Sequence, residues 1–228
     1  PESDLQLTFN TQPALLLVSV ASFKVVHEEK GIKITSSAGH SVGEYAAVVC
    51  AESLKFSEAL KAVRSRGEFM QSAVPVGVGG MVAAMGLTPE QVTQMCQWAE
   101  RESQMSPLEP ANFNAPGQIV CSGSQQLIEW LQSHINKDIF SPPPAKMRLI
   151  PLKVSAPFHC SLMKPAEEKM KSVLMDLPFQ TARFPIVQNV NAQPVTEGMQ
   201  LRDNLIRQIS APVRWIESVE KLQHMGET

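Results

Sequence analysis

The chain is short of charge and of aromatic side chains. Charged residues make up 18% and aromatics 6% of its 228 residues, and Tyr45 is the single tyrosine. The formal net charge of −2 comes from scattered residues with no run of one sign, so there is no electrostatic footprint for nucleic acid or for an anionic membrane. Cysteine is equally scarce. Cys50, Cys96, Cys121 and Cys160 form no C-x-x-C pair, which leaves buried free thiols in a reducing, cytoplasmic compartment as the reading. The longest apolar run, residues 14–21, is far too short to span a bilayer, and no signal peptide is visible. No His/Cys/Asp/Glu cluster has ligand spacing, so no metal is expected. Gly77-x-Gly79-Gly80 lacks the lysine and spacing of a phosphate loop and reads as a flexible hinge. Repeats and low-complexity stretches are absent. An initiating methionine is absent too: the chain opens at Pro1 on a polar stretch and reads as a piece of a longer gene product.

What is present is a hydrophobic content of 43%, enough for a sizeable core, and one stretch rich in chemical meaning. Gly39-His40-Ser41-Val42-Gly43-Glu44 follows the β-rich run Ile32-Lys33-Ile34-Thr35 and precedes the apolar run Tyr45-Ala46-Ala47-Val48-Val49-Cys50-Ala51. A G-x-S-x-G between a strand and a helix is a nucleophile elbow. The two glycines are expected at a sharp turn where a side chain would clash, and the turn pushes the Ser41 hydroxyl out at a sheet edge. The N–H groups opening the next helix point at the same spot, ready for a negative oxygen. A glycine-lined turn around a buried serine is the plainer alternative.

Patterning around the elbow predicts a helix from Thr11, with Pro13 near its first turn, to about residue 28, and a strand over 32–36. A further helix capped by Ser57 follows. Residues 77–152 show a separate order: strand 81–85, helix 88–102 with a capping box, strand 110–114, a turn, strand 118–122, a helix capped by Ser124, and strand 147–154. That β-α-β-β-α-β order is the ferredoxin-like arrangement. The expected architecture is therefore an α/β core of residues 1–76 and 153–228, with a hydrolase-like, mainly parallel sheet and a ferredoxin-like subdomain of residues 77–152 inserted into it.

A nucleophilic serine needs a base. Of five histidines, His27, His134 and His224 fall on polar helix faces. His40 adjoins the serine, where an elbow usually points neighbouring side chains apart. His159 follows a strand end and precedes a helix, where active sites of open α/β sheets lie. By elimination it is the candidate base, with a capping or core role as the alternative. Arg64 and Arg66 cannot share a helix face. Both are solvated, or one turns inward, where it would grip a carboxylate in bidentate fashion.

Six segments together resemble the malonyl-CoA:acyl carrier protein transacylase family and its acyltransferase-domain relatives. They are Thr11-Gln12-Pro13-Ala14, the elbow through Tyr45, Arg66-Gly67-Glu68-Phe69-Met70-Gln71, Asn112-Phe113-Asn114-Ala115-Pro116-Gly117-Gln118, Pro157-Phe158-His159-Cys160-Ser161-Leu162-Met163-Lys164-Pro165, and Arg207-Gln208-Ile209-Ser210-Ala211-Pro212-Val213-Arg214-Trp215. They fall in family order across nearly the whole chain. The resemblance implies that Ser41 carries the malonyl group as an ester and His159 is the general base, oriented by the backbone carbonyl of Gln208. It implies that Arg66 binds the malonyl carboxylate, that the Val42 N–H is an oxyanion donor, and that Gln12 and Asn114 line the pocket. The implied partners are malonyl-CoA and acyl carrier protein, with no bound cofactor and a monomeric state at full length. Phe158 looks like the malonyl-selecting rather than the methylmalonyl-selecting type.

The family's opening strand with its Gly-Gln-Gly-Ser-Gln loop, and its closing strand, have no counterpart in this sequence, so the core is expected to be truncated at both ends. Two other readings compete: a serine hydrolase, which would normally place an acid before the histidine, and a non-catalytic module of a larger synthase.

Overall fold

In a computed structural model the structure describes residues 2–154 and 156–226. Ser155, four positions before His159 in the sequence, lies outside them. A short helix α1 (Glu2–Leu5) leads into the long α2 (Thr8–Lys30); then come strand β1 (Ser37–Ala38) and helices α3 (Gly43–Cys50) and α4 (Phe56–Gln71). β2 (Gly79–Met85), α5 (Pro89–Ser103), β3 (Leu108–Ala115), β4 (Gln118–Ser124), α6 (Gln125–His134) and β5 (Arg148–Pro151) follow. The chain closes with α7 (Lys164–Met175), β6 (Ile186–Val187), β7 (Pro194–Val195), α8 (Gly198–Gln208) and α9 (Trp215–His224).

α2 begins earlier than its proline suggested. Thr11 is not its cap: its hydroxyl donates to the Leu7 carbonyl at 3.1 Å, and Pro13 lies inside the helix. A proline there leaves the carbonyl four residues back without its donor. That carbonyl is Phe9 O, and Arg64 Nη1 from α4 reaches it at 3.3 Å while the guanidinium sits over the Phe9 ring. Gly67 of α4 lets the two helices close up here, since a Cβ on it would lie 2.5 Å from Phe9 Cα. The 23 residues of α2 also correct the expectation drawn from short apolar runs: by length and composition alone this helix could cross a bilayer. In the fold it packs along α3 and α4 with Gln12, Leu16 and Val20 buried.

Two sheets result. One joins β1, β6 and β7 in that order, with β1 parallel to β6 and β6 antiparallel to β7. The sheet is mixed, which corrects the expected mainly parallel core. Among the described residues, 32–36 belong to no strand; β1 is Ser37 and Ala38, paired with β6. A β-rich run with no strand beside it builds no ladder. The second sheet has the order β3-β4-β2-β5, every neighbouring pair antiparallel. α5 starts with the expected capping box of Thr88 and Gln91. With α6 it covers one sheet face over Val82, Ile119 and Cys121, while Met81, Ala83, Ala111 and Val120 on the other face look toward Phe158. Gly79 and Gly80 are strand residues rather than a hinge; a Cβ on Gly79 would strike the Pro157 ring at 2.3 Å.

The second sheet meets the segment that follows α8. Phe113 N donates to Val213 O at 2.9 Å and Val213 N to Ala111 O at 2.8 Å, extending β3 onto the segment between α8 and α9.

Candidate active site

Ser41 sits between β1 and α3 with φ +52°, the left-handed region that an elbow requires. Only one of the motif's glycines is sterically obligatory. A Cβ on Gly39 would lie 2.0 Å from Gly43 O, whereas a Cβ on Gly43 meets nothing within 4 Å. This corrects the expectation that both positions would clash. His159 also has a positive φ, +60°. A non-glycine residue held there costs about 1–3 kcal/mol and persists only where its surroundings over-determine it.

Those surroundings are a hydrogen-bond network built from four elements. Ser41 Oγ stands 2.8 Å from His159 Nε2, and His159 Nδ1 lies 2.9 Å from the Gln208 backbone oxygen at the end of α8. A carbonyl only accepts, so Nδ1 carries the proton and Nε2 is left as the acceptor for the serine hydroxyl. The Gln208 side chain donates to Ser41 O at 3.0 Å and to Asn189 Oδ1 at 3.3 Å. Asn189 follows β6, the strand parallel to β1, and so comes to lie alongside the elbow. Its Oδ1 accepts the Ser41 N–H at 2.7 Å and its Nδ2 donates to Gly39 O at 2.8 Å. The Ser41 N–H is thereby occupied. The Val42 N–H, opening α3, has no acceptor among the described residues, which leaves it free for an oxyanion.

Arg66 is 1% exposed on the inward face of α4, while Arg64 points out to Glu68 and Asn10. Its Nη2 donates to Ser41 Oγ at 3.1 Å and to Gln208 Oε1 at 3.0 Å, and its Nη1 to Gln12 Oε1 at 2.6 Å. All three partners are neutral. His40 turns away from the serine: its Nε2 is 2.8 Å from Asn114 Oδ1 across the cleft, and its ring packs edge-on to Trp215.

Burial, then the Arg66 charge, depress the His159 pKa to about 3, against the opposing Gln208 carbonyl. The imidazole is therefore neutral at ordinary pH, with Nε2 unprotonated toward the serine hydroxyl. Burial likewise lowers the pKa of His40. The cleft holds about 1120 Å³ and is lined by Gln12, Ser41, Val42, Arg66, Asn114 and His159 on its polar side, with Met70, Met81, Val120 and Phe158 among its apolar walls. Among the described residues no group of three or more His, Cys, Asp or Glu side chains is arranged to hold a metal ion.

Sequence reasoning missed Asn189, the Gln208 side chain and Glu44, a fully buried carboxyl at the start of α3. The last had a signal, an acidic residue inside an apolar helical run. Asn189 had none, because only the pairing of β1 with β6 brings it to the elbow.

A serine on an elbow, a neutral histidine at hydrogen-bond distance and a free helix-opening N–H can form and resolve an ester, the chemistry of serine acyl-transfer enzymes. The chain belongs to the acyl transferase domain family, whose profile matches residues 1–227. It is 39% identical over 226 residues to the malonyl CoA-acyl carrier protein transacylase of Escherichia coli K12, covering 99% of this chain and 70% of that protein. To the protein of the same name from Bacillus subtilis it is 44% identical over 225 residues, covering 99% of this chain and 68% of that one. A solved structure of a type II PKS acyl-carrier protein in complex with its malonyl-transacylase matches with a TM-score of 0.89 and 39% identity, over 99% of this chain and 70% of that one.

Proposed function

We infer that this chain transfers a malonyl group from malonyl-CoA to the phosphopantetheine thiol of an acyl carrier protein, in service of fatty acid synthesis, through an ester on Ser41. Its relatives bear that activity in their names. The observation that carries the reading is the line from Ser41 Oγ through His159 to the Gln208 carbonyl, with the buried Arg66 cation touching the same hydroxyl.

The steps follow from the geometry. His159 Nε2 takes the Ser41 proton as Oγ attacks the malonyl thioester carbonyl. The tetrahedral oxyanion rests on the Val42 N–H. Nε2 then returns the proton to the leaving CoA sulfur. In the second half the carrier's thiol gives its proton to Nε2, attacks the malonyl-serine, and Ser41 recovers the proton. Arg66 holds the malonyl carboxylate with the Gln12 and Gln208 amides beside it, and Asn114 holds His40 back from the nucleophile. No step calls for a bound cofactor. A hydrolase reading gains nothing here, since the orienting group on His159 is a backbone carbonyl rather than an acid.

The division into a core of residues 1–76 and 153–228 and an inserted unit of 77–152 belongs to the same proposal. Support for a ferredoxin-like unit is its antiparallel sheet order β3-β4-β2-β5, with both helices on one face. Support for a hydrolase-like core is the elbow beside the parallel pair β1–β6. A cytoplasmic setting accords with four unpaired thiols.

The test is transfer itself. Radiolabelled malonyl-CoA is mixed with the protein and holo acyl carrier protein, and label on the carrier is compared with free malonate. Label on the carrier supports the reading. Release to water alone replaces it with hydrolysis.

A further inference from the structure

Glu44 stands three residues past the nucleophile, in the first turn of α3, with no exposure to solvent. Its Oε2 accepts the Asn189 N–H at 2.7 Å, and its Oε1 has no hydrogen-bond partner. Arg66 is the other buried charge of this layer. Its Nε is also without a partner, and its bonds to Gln12, Gln208 and Ser41 leave it facing no carboxylate at ion-pair distance among the described residues. A buried carboxyl and a buried cation are thus joined through two side chains and not by an ion pair: Arg66 Nη2 donates to Gln208 Oε1 at 3.0 Å, Gln208 Nε2 to Asn189 Oδ1 at 3.3 Å, and the Asn189 N–H to Glu44 Oε2 at 2.7 Å, and each lies in the other's field.

We propose that Glu44 is the standing counter-ion of Arg66 in the empty site, and that it takes up a proton onto its free Oε1 when the malonyl carboxylate settles on Arg66. Glu44 is then a positioning residue: it acts through Arg66 to set the preference for a carboxylate-bearing acyl group and the pH at which that preference holds. The inference rests on the reading of Arg66 as the malonyl site.

The surroundings of Glu44 decide which way its proton moves. Burial raises its pKa to about 7, with the Asn189 N–H, the Gln208 amide and the Arg66 charge opposing the rise. From α4 the charged neighbour is Arg66. On α3 itself Tyr45 is held neutral by burial, its pKa pushed up to about 12. The buried residues of α2 are Gln12, Leu16 and Val20, and α8 presents the neutral Gln208. His159, which also feels Arg66, stays neutral. When a second carboxylate claims the Arg66 charge, the restraint on protonating Glu44 weakens and the carboxyl binds a proton more readily. Linkage is reciprocal, so malonyl must bind better to protein whose Glu44 is protonated. Acetyl carries no charge and has no such coupling.

The experiment measures KM for malonyl-CoA and acetyl-CoA from pH 6 to 8.5 in the parent and in Glu44→Gln, which keeps an oxygen for the Asn189 N–H. In the parent, malonyl KM should rise about three- to tenfold across the range, tenfold answering to one pKa unit of coupling, while acetyl KM stays level. In Glu44→Gln the malonyl KM should be low and flat. A variant that loses kcat but keeps the parent's malonyl pH profile would show Glu44 to be structural and overturn the proposal. Should Glu44→Gln not fold, the parent alone decides: in weakly buffered solution at pH 7.5, malonyl-CoA should draw more protons from solvent than acetyl-CoA, and equal uptake overturns it. A parent that never acylates Ser41 would instead sink the reading of the site on which this rests.

Discussion

Arg66 touches the nucleophile directly: its Nη2 lies 3.1 Å from Ser41 Oγ, the same oxygen that faces His159 Nε2 at 2.8 Å. One hydroxyl therefore accepts from a cation while donating to a base, so charge developing on Oγ is met as the proton leaves. The same cation is the group best placed to meet a substrate carboxylate, because its present partners are all neutral.

Arg66→Ala should switch selectivity rather than abolish chemistry. Without the guanidinium a malonyl carboxylate is desolvated unpaired, a loss on the order of 2–5 kcal/mol. Acetyl-CoA has no carboxylate to lose. The ratio of malonyl to acetyl kcat/KM should drop at least tenfold; equal loss toward both would make Arg66 structural.

The pH profile follows from the neutral His159. An unperturbed imidazole near 6.5 would let acylation fall as pH drops through that value. With the pKa at about 3, the acetyl-CoA acylation rate should stay level well below 6.5. Stability moves the other way. Between about 6.5 and 3 the unfolded chain holds a proton on His159 that the folded chain does not, so this residue makes stability fall as pH falls through that window. Denaturant midpoints from pH 7 to 4 for the parent and His159→Asn should converge as pH drops. Parallel curves would contradict the burial argument.

The two elbow glycines should respond differently to alanine. Gly39→Ala places a methyl 2.0 Å from Gly43 O and should prevent folding, whereas Gly43→Ala adds a methyl to open space at the start of a helix. Soluble yield and thermal melting of both variants decide it. A stable Gly39→Ala would mean that the elbow backbone can move.

Asn189→Ala should be costly although the residue touches no substrate. It strips the acceptor from the Ser41 N–H and the donor from Gly39 O, each a buried group left unsatisfied at about 1–3 kcal/mol. Acylation should slow by roughly 10²-fold through misplacement of the nucleophile. Unchanged kinetics would show that α3 alone fixes the elbow.

Much of the fold and of the site is legible in the sequence. The elbow, the capping box at Thr88 and the strand–helix order of residues 77–152 are local patterns, and local pattern is what sequence carries. The start of α2 is not legible, because the Phe9 carbonyl that Pro13 leaves without its helical donor is met by Arg64, more than 50 positions away. The run 32–36 has strand composition, but a strand needs a neighbour. Asn189 and the side chain of Gln208 matter because β6 and α8 fold against the elbow, a fact of pairing that no spacing displays. Only the resemblance puts Gln12 and Asn114 in the pocket; their particular bonds, to Arg66 and to His40, come from the fold.

The central claim is that Ser41 carries the acyl group. Intact-mass spectrometry with peptide mapping after brief mixing with malonyl-CoA tests it most directly. The account predicts one added malonyl group, mapped to Ser41 and absent from Ser41→Ala. A malonyl adduct that persists in Ser41→Ala, on the neighbouring Cys160 or anywhere else, would contradict it.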